Sequence, residues 1–382
     1  MSVPDRERLA RVALNRLGEP GDVKMTALVA ELGAVRLHDL LLHERDPHGL
    51  RTDVAARLAS VDPVRELERA ARVGLRFVVP GDDEWPESLG DLAAASSIQD
   101  RGGVPVGLWV KGPLRLDRLV DAVAVVGSRA ATQYGADVAR DIGAVVARSG
   151  RVVVSGAAFG IDVAAHRGAI SGGAATDGPS VAILACGADR VYPQAHREVI
   201  DHIAATGAVV SEAAPGCSPQ RVRFLARNRL IAALSRGTVV VEAARRSGAL
   251  NTANWAGRLQ RSLMGVPGPV TSAGSAGVHE LIRAGAMTLV TGGGDVLEMV
   301  GAAGEHLVEE HREPPTARDR LTVRQRQVLD AVPVGQPAHP DSIARVAGLG
   351  LLEVRAGLTR LLDSGLVEVA DGGWRLTAEA HG

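Results

Sequence analysis

The sequence predicts an α/β protein on a doubly wound, mainly parallel sheet, with a helical module before the sheet and a winged helix after it. Three observations carry this. From about Val106, eight short apolar, β-branched runs alternate with Ala-rich helical stretches, and such strands mark a parallel sheet covered on both faces. Residues 1 to about 75 keep helical periodicity with short breaks. The chain closes with three helical segments and a hairpin pattern.

In chain order, RLARVALNRL, MTALVAELGAVRLHDLLL, VAARLASV and VRELERAARVGL read as helices separated by GEPGD, HERDPHG and VDP, a module over 1–80. FVVPGDDEWPESLGDL is a transition. The strands GLWVKG, DAVAVVG, RVVVSG, SVAILACG, GAVVSEA, GTVVVEA, SLMGVPG and MTLVTGG follow within a domain over 81–301. AAGEHLVEEHREPPTARD, polar and proline-bearing, is a linker over 302–319. In 320–382, Pro340 and Asp341 start a helix, Gly348 to Gly350 form a turn, and Asp371-Gly372-Gly373 tip a hairpin, which describes a winged helix-turn-helix. Its six arginines face seven acids over 321–382, so protein contact or autoregulation suits it at least as well as DNA-groove reading.

A length of 382 residues and 46% hydrophobic content support two or three domains with a real core. The N-terminus is charged from Asp5 and lacks an apolar leader segment, and no apolar run approaches the roughly 20 residues of a membrane span. A cytoplasmic protein without membrane insertion is expected. Cys186 and Cys217 form neither a disulfide framework nor a metal-ligand spacing, so no metal site and no role is assigned to them.

Charge is concentrated. Between Gln220 and Ser262 nine arginines (221, 223, 227, 229, 236, 245, 246, 258 and 261) face one acid, Glu242, in a chain of net charge −1. A phosphate backbone selects such a stretch, because cations set against phosphates release condensed counterions. With only Lys24 and Lys111 as lysines, arginine identity itself reflects composition, and the clustering is what informs. Phe159 and Phe224 are the aromatics within Gly- or Arg-rich motifs and the candidates for base stacking.

In doubly wound sheets ligands lie beyond the carboxyl ends of the strands. VAVVGSRAATQYG puts Gly127, Ser128 and Arg129 at a strand-to-helix turn, where free N–H groups and an arginine fork attract an anion. Neither GxGxxG nor a phosphate-binding GxxxxGK[ST] is present, so no NAD, ATP or other cofactor is indicated. RVVVSGAAFGIDVAAHRGAI repeats the device: Ser155, Gly156 and Gly160 allow close backbone approach, and Asp162 caps the following helix. His166 has no partner acid or nucleophile by spacing and reads as a core or surface imidazole. RVRFLARNRLIAALSRGTVVVEAARRSGALNTANWAG places Phe224, Arg227, Asn228 and Arg229 at a helix start and supplies a third turn at Ser247-Gly248. Three anion-binding turns on one sheet rim ask for an extended ligand rather than a single nucleotide.

GSR, SGAAFGIDVAAH, RNRLIAALS, VVVEAARRSGALNTA and VPG, in this order and preceded by DDEWPESL, resemble the DNA-processing protein A family (DprA, also called Smf). The resemblance implies an extended Rossmann-like domain, a SAM-like helical module, a winged helix and a homodimer. It implies a protein without catalytic residues that binds single-stranded DNA and loads the RecA recombinase onto it in natural transformation. The DNA contacts carried over by position are Gly127, Ser128, Arg129, Ser155, Gly156, Phe159, Gly160, Asp162, Arg221, Phe224, Arg227, Asn228, Arg229, Ser247 and Gly248. Leu225-Ala226 departs from the proline that many relatives have after the phenylalanine, which bears on the pose of Phe224. One alternative is a nucleotide-binding enzyme similar to the LOG-type phosphoribohydrolases, whose PGGxGTxxE stretch is absent here. The other is a transcription regulator acting through the winged helix.

Overall fold

The computed structural model describes residues 5–45, 52–173, 178–306 and 317–381. The chain forms two compact units, Met1–Val308 and Glu309–Gly382. In the first, α1 (Asp5–Leu17), α2 (Val23–Leu32), α3 (Ala34–Leu42), α4 (Asp53–Ala59) and α5 (Pro63–Arg72) lead into β1 (Leu75–Val78). Local chemistry sets the helix starts: the Asp22 carboxylate accepts from the Lys24 and Met25 N–H groups, and Asp62 with Pro63 opens α5.

There follow β2 (Leu108–Lys111), β3 (Val123–Val126), α6 (Gln133–Arg148), β4 (Val153–Ser155), α7 (Ile161–Gly172), β5 (Ser180–Ile183), α8 (Arg197–Thr206) and β6 (Ala208–Ser211). Then come α9 (Arg221–Ala233), β7 (Gly237–Val240), α10 (Ala249–Arg258), β8 (Ser262–Gly265), α11 (Ala276–Arg283), β9 (Thr288–Leu289) and α12 (Gly293–Val300). The sheet order is β1-β2-β6-β5-β4-β3-β7-β8-β9. All neighbours from β6 to β9 run parallel, whereas β1 and β2 add an antiparallel edge. Strands β3, β5, β6 and β7 are buried throughout, as alternating helices on both faces require. Val123 and Val125 pack with α6, α7 and α12, while Ala124 and Val126 pack with α9 and α10.

The eight predicted strands appear as β2 to β9. The segment FVVPG differs from expectation: Leu75–Val78 is an edge strand paired with β2, not a transition. The first helices are also not separate from the sheet. Val12 of α1 and Ala70 of α5 share a core with Phe77, Trp109 and Ile200. The Trp109 indole donates to Asn15 Oδ1 at 2.9 Å, and Asn15 Nδ2 donates to the Glu212 carbonyl at 2.7 Å. Deepest in this junction, Arg229 donates through both terminal nitrogens to the Glu212 carboxylate, each at 2.6 Å. The Arg229 guanidinium also reaches the Gly103 and Ala226 carbonyls, and the Gly21 N–H donates to Glu212.

In the second unit α13 (Val323–Asp330), α14 (Pro340–Ala347) and α15 (Leu351–Asp363) precede β10 (Val367–Ala370) and β11 (Gly373–Leu376). Thr322 and Gln325 form a capping box, and Gly348 ends α14 in the left-handed conformation at φ 63°. The hairpin turn is Asp371-Gly372, with φ of 48° and 76°, the two positive values of a type I′ turn. Of the predicted linker, 307–316 lie outside the described residues, and 302–306 and 317–319 hold no helix or strand.

Arg229→Ala strands the buried Glu212 charge and is expected to cost about 3–5 kcal/mol of stability. Replacing both partners with leucine is expected to cost clearly less. Chemical denaturation measures this, and a single variant within about 1 kcal/mol of wild type would remove the pair from its anchoring role.

Candidate nucleic-acid interface

From β3 the chain steps outward through β4, β5 and β6, then returns through α9 to β7 on the other side of β3. Because α6 and α9 leave on opposite faces, a crevice opens beyond the carboxyl ends of β3 and β7. A cleft of about 800 Å³ lies there, walled by the turn after β3, the loop after β7 and the first turns of α7, α9 and α10.

The turns hold each other in place. The Ser128 N–H donates to the Glu242 carbonyl at 2.7 Å, tying the end of β3 to the end of β7. The Glu242 carboxylate accepts from the Thr132 N–H at 2.9 Å and the Thr132 hydroxyl at 2.5 Å, while Thr132 caps α6. Gly160 takes a left-handed φ of 73° and lies against the carbonyls of Ser128 and Arg129, where a Cβ would collide. A Cβ at Gly156 would collide with the Arg227 guanidinium, so that glycine makes the room Arg227 occupies.

Arg227 is 6% exposed and donates to the Ile183 carbonyl at 2.7 Å. Asp162 is buried beside it and accepts weakly from the Ala158 N–H at 3.4 Å. Burial raises the Asp162 pKa against the opposing charges of Arg227 and Arg129, and burial lowers that of Arg227. Arginine starts so far above neutrality that Arg227 stays cationic. The cleft floor therefore sets the Arg227 guanidinium beside the Asp162 carboxyl. At its mouth the exposed Arg129 guanidinium sits 4.7 Å from the Phe224 ring centroid, with Arg227 at 5.9 Å and the Tyr192 ring also at 5.9 Å.

Of the predicted contact residues, the cleft brings together Gly127, Ser128, Arg129, Asp162, Arg221, Phe224, Arg227, Asn228, Ser247 and Gly248. Asn228 Nδ2 reaches Asn251 Oδ1 at 3.2 Å, joining α9 to α10. Phe159 and Gly160 lie on the turn into α7 outside the cleft lining, with Phe159 exposed and edge-on to His196 at 4.7 Å. Two further side chains do not reach the cleft. The Ser155 hydroxyl is buried and donates to the Val125 carbonyl at 2.6 Å, and Arg229 is spent on Glu212.

The linear arginine cluster also reads differently in three dimensions. Five of the nine pair with carboxylates from distant segments: Arg223 with Glu19, Arg229 with Glu212, Arg236 with Asp121, Arg245 with Glu280 and Arg261 with Asp91. Arg258 caps the Ser96 and Ser97 carbonyls. Arg221 and Arg246 line the cleft, exposed and without a side-chain partner among the described residues. Sequence reasoning missed Tyr192, Asn251 and Thr252. The Asn and Thr stand three and four residues after Gly248, where a helix beginning at that turn presents side chains to a ligand.

His166 is a core imidazole. Its Nδ1 meets the Ser180 hydroxyl at 2.7 Å, which itself donates to the Val153 carbonyl, and its Nε2 is buried without a partner. Burial, with the charges of Arg227 and His196, pulls its pKa to about 3. Burial pushes the Cys186 thiol up to about 11, an inert setting. Among the described residues no group of three or more His, Cys, Asp or Glu could hold a metal ion, and no helix is long and apolar enough to cross a membrane.

Comparison with known proteins finds relatives over most of the chain. Residues 76–301 match the family model for DNA recombination-mediator protein A. A Mycobacterium tuberculosis protein named as a DNA processing protein DprA is 43% identical over 372 residues, 97% of this chain and 94% of that one. The solved structure of DNA processing protein A from Streptococcus pneumoniae is 32% identical, with a TM-score of 0.62 over 78% of this chain and 98% of its own. A Helicobacter pylori DNA processing protein A, whose structure is described as giving insight into its single-stranded DNA binding mode, is 26% identical. Its TM-score is 0.50, over 59% of this chain and 96% of its own.

The depressed His166 pKa makes folding costlier in acid. The unfolded imidazole takes a proton below about 6.5 while the folded one stays neutral down to about 3. This stability is fully present above pH 6.5 and is lost as pH falls, by about 2 kcal/mol between pH 7 and 5. A His166→Gln variant is expected to lose less over that interval in denaturant titrations. Equal loss in both proteins would assign the acid sensitivity elsewhere.

Proposed function

The chain belongs to the DNA recombination-mediator protein A family, and we propose that it binds single-stranded DNA without sequence preference, along the cleft at the reversal of strand order. The observation that carries this is the pairing of Arg129 with Phe224 above the buried Arg227. A guanidinium beside an aromatic face serves a phosphate and its neighbouring base together, and neither group reads base identity. The cleft runs on past this pair to Arg221, Arg246 and the Ser247-Gly248 turn, a length that suits a strand better than a mononucleotide.

In this reading Gly127, Ser128, Arg129, Arg221, Phe224, Arg227, Asn228, Ser247 and Gly248 contact DNA, with Phe159 stacking a base beyond the cleft wall. Gly156 and Gly160 shape the floor, and Asp162 stands beside Arg227 in it. Ser155 and Arg229 act by holding the frame. The protein is a cytoplasmic homodimer that protects exposed strands and hands them to the RecA recombinase during recombination or natural transformation. Residues 1–80 are a SAM-like module, 81–301 the DNA-binding domain, and 320–382 a winged helix whose balanced charge suits a protein contact. No catalytic step is assigned: Glu242 is committed to Thr132, and Asp162 faces arginines.

Fluorescence anisotropy with labelled oligothymidylate tests this. Arg129→Ala and Arg221→Ala are each expected to weaken binding by about 1–3 kcal/mol on every sequence and to flatten the log–log salt slope by about 0.7. Wild-type affinity in both variants would take the cleft out of the binding site. Release of free base from AMP, abolished by Arg129→Ala, would revive the enzyme alternative.

A further inference from the structure

A second polar groove, of about 390 Å³, lies on the helical module between the end of α1, the end of α4 and the start of α5. Arg16, Arg57, Arg65 and Arg69 line it against only Asp62 and Glu66. The acids are partly occupied. The Asp62 carboxylate accepts from the Arg65 N–H as the cap of α5. Glu66 stands 3.8 Å from Arg16 and 3.9 Å from Arg69, too far for a good hydrogen bond with either. Arg57 reaches the Leu17 carbonyl with one nitrogen, and the exposed Arg65 guanidinium has no partner among the described residues. Surface arginines in such excess gain most from phosphates, which they bind bidentately while releasing counterions.

The groove is joined to the cleft through one loop. Arg16 donates to the Pro215 carbonyl at 2.8 Å. Three residues on, the Ser218 carbonyl accepts from Arg223, next in the chain to Phe224. Between them the Gly216 N–H donates to Asp189, beside the exposed Arg190 and close in sequence to Tyr192, whose ring faces Phe224. Segment 215–218 is thus bonded to Arg16 of the groove and to Asp189 and Arg223, which stand close in sequence to Tyr192 and Phe224 at the cleft mouth.

We infer that this groove is a second phosphate-binding segment of one DNA path: a strand held in the cleft continues past Tyr192 and Arg190 onto Arg16, Arg57, Arg65 and Arg69. The inference rests on the single-strand reading above. A single strand is favoured over an acidic peptide because the groove offers few apolar contacts, Leu17 and Val61 alone, so backbone charge is what it recognises.

Anisotropy on the full chain with oligothymidylates of about 8 and about 30 nucleotides tests it, the shorter within the footprint of one single-strand site. Arg65→Ala/Arg69→Ala is expected to bind the short oligomer within about twofold of wild type. On the long one its affinity is expected to fall roughly tenfold and its salt slope by about 1.4, with 0.7 for each phosphate no longer neutralised. Arg65→Glu alone, at a side chain with no internal bond to break, is expected to show the same length-dependent loss. Unchanged binding of the long oligomer, or equal losses at both lengths, overturns the groove while leaving the cleft reading intact. Wild-type protein that binds neither length overturns both.

Discussion

The whole site follows from one constraint of the chain path. Strands β3 and β7 are hydrogen-bonded neighbours, yet the chain leaves β3 toward one edge of the sheet and reaches β7 only after building that entire half. Helices α6 and α9 must then occupy opposite faces, and no connection covers the carboxyl ends of the two central strands. What fills the opening is turns: the one after β3 and the loop after β7 meet through the Ser128 N–H and the Glu242 carbonyl and line the cleft. A parallel sheet of buried valines makes this rim rigid, so the groups on it are placed before any ligand arrives.

Arginine does two kinds of work in this frame. Deep in the protein, Arg229 and Glu212 form a bidentate pair that locks α9, β6 and the first helices together. Breaking such a pair strands one uncompensated buried charge, so losing one partner costs more than replacing both. Arg227 is intermediate: buried, bonded to a main-chain carbonyl, yet close enough to Arg129 and Phe224 to lend its charge to the cleft. Arg129, Arg221 and Arg246 are exposed. The same residue type therefore grades from buried scaffold to exposed cleft wall along about one helix and two loops.

That gradation explains what the sequence made legible. Eight strands and the three C-terminal helices lie where periodicity put them, because each is a continuous apolar or amphipathic run with its own turn signals. The strand at Leu75–Val78 escaped because four residues with one arginine at the sheet edge carry no repeating pattern. The three Gly-bearing turns were found because glycine in a strand-to-helix turn reports close approach. The fate of each arginine was not, since Glu19, Asp91, Asp121, Glu212 and Glu280 all lie outside the stretch in which the charges were counted. Charge counted along a sequence omits the acids that folding brings to it. Burial of Ser155 and Arg229 is likewise a property of packing, invisible in the Gly- and Arg-rich motifs that carry them.

The most direct test of the central claim is photo-cross-linking of a 5-iodouracil oligonucleotide to the full chain, with the adducts mapped by mass spectrometry. Adducts at Phe224, together with Tyr192 or Phe159, are the expected result, since these rings border the rim of the two central strands. Adducts confined to Trp85 or Trp374, with none at those three rings, would contradict it.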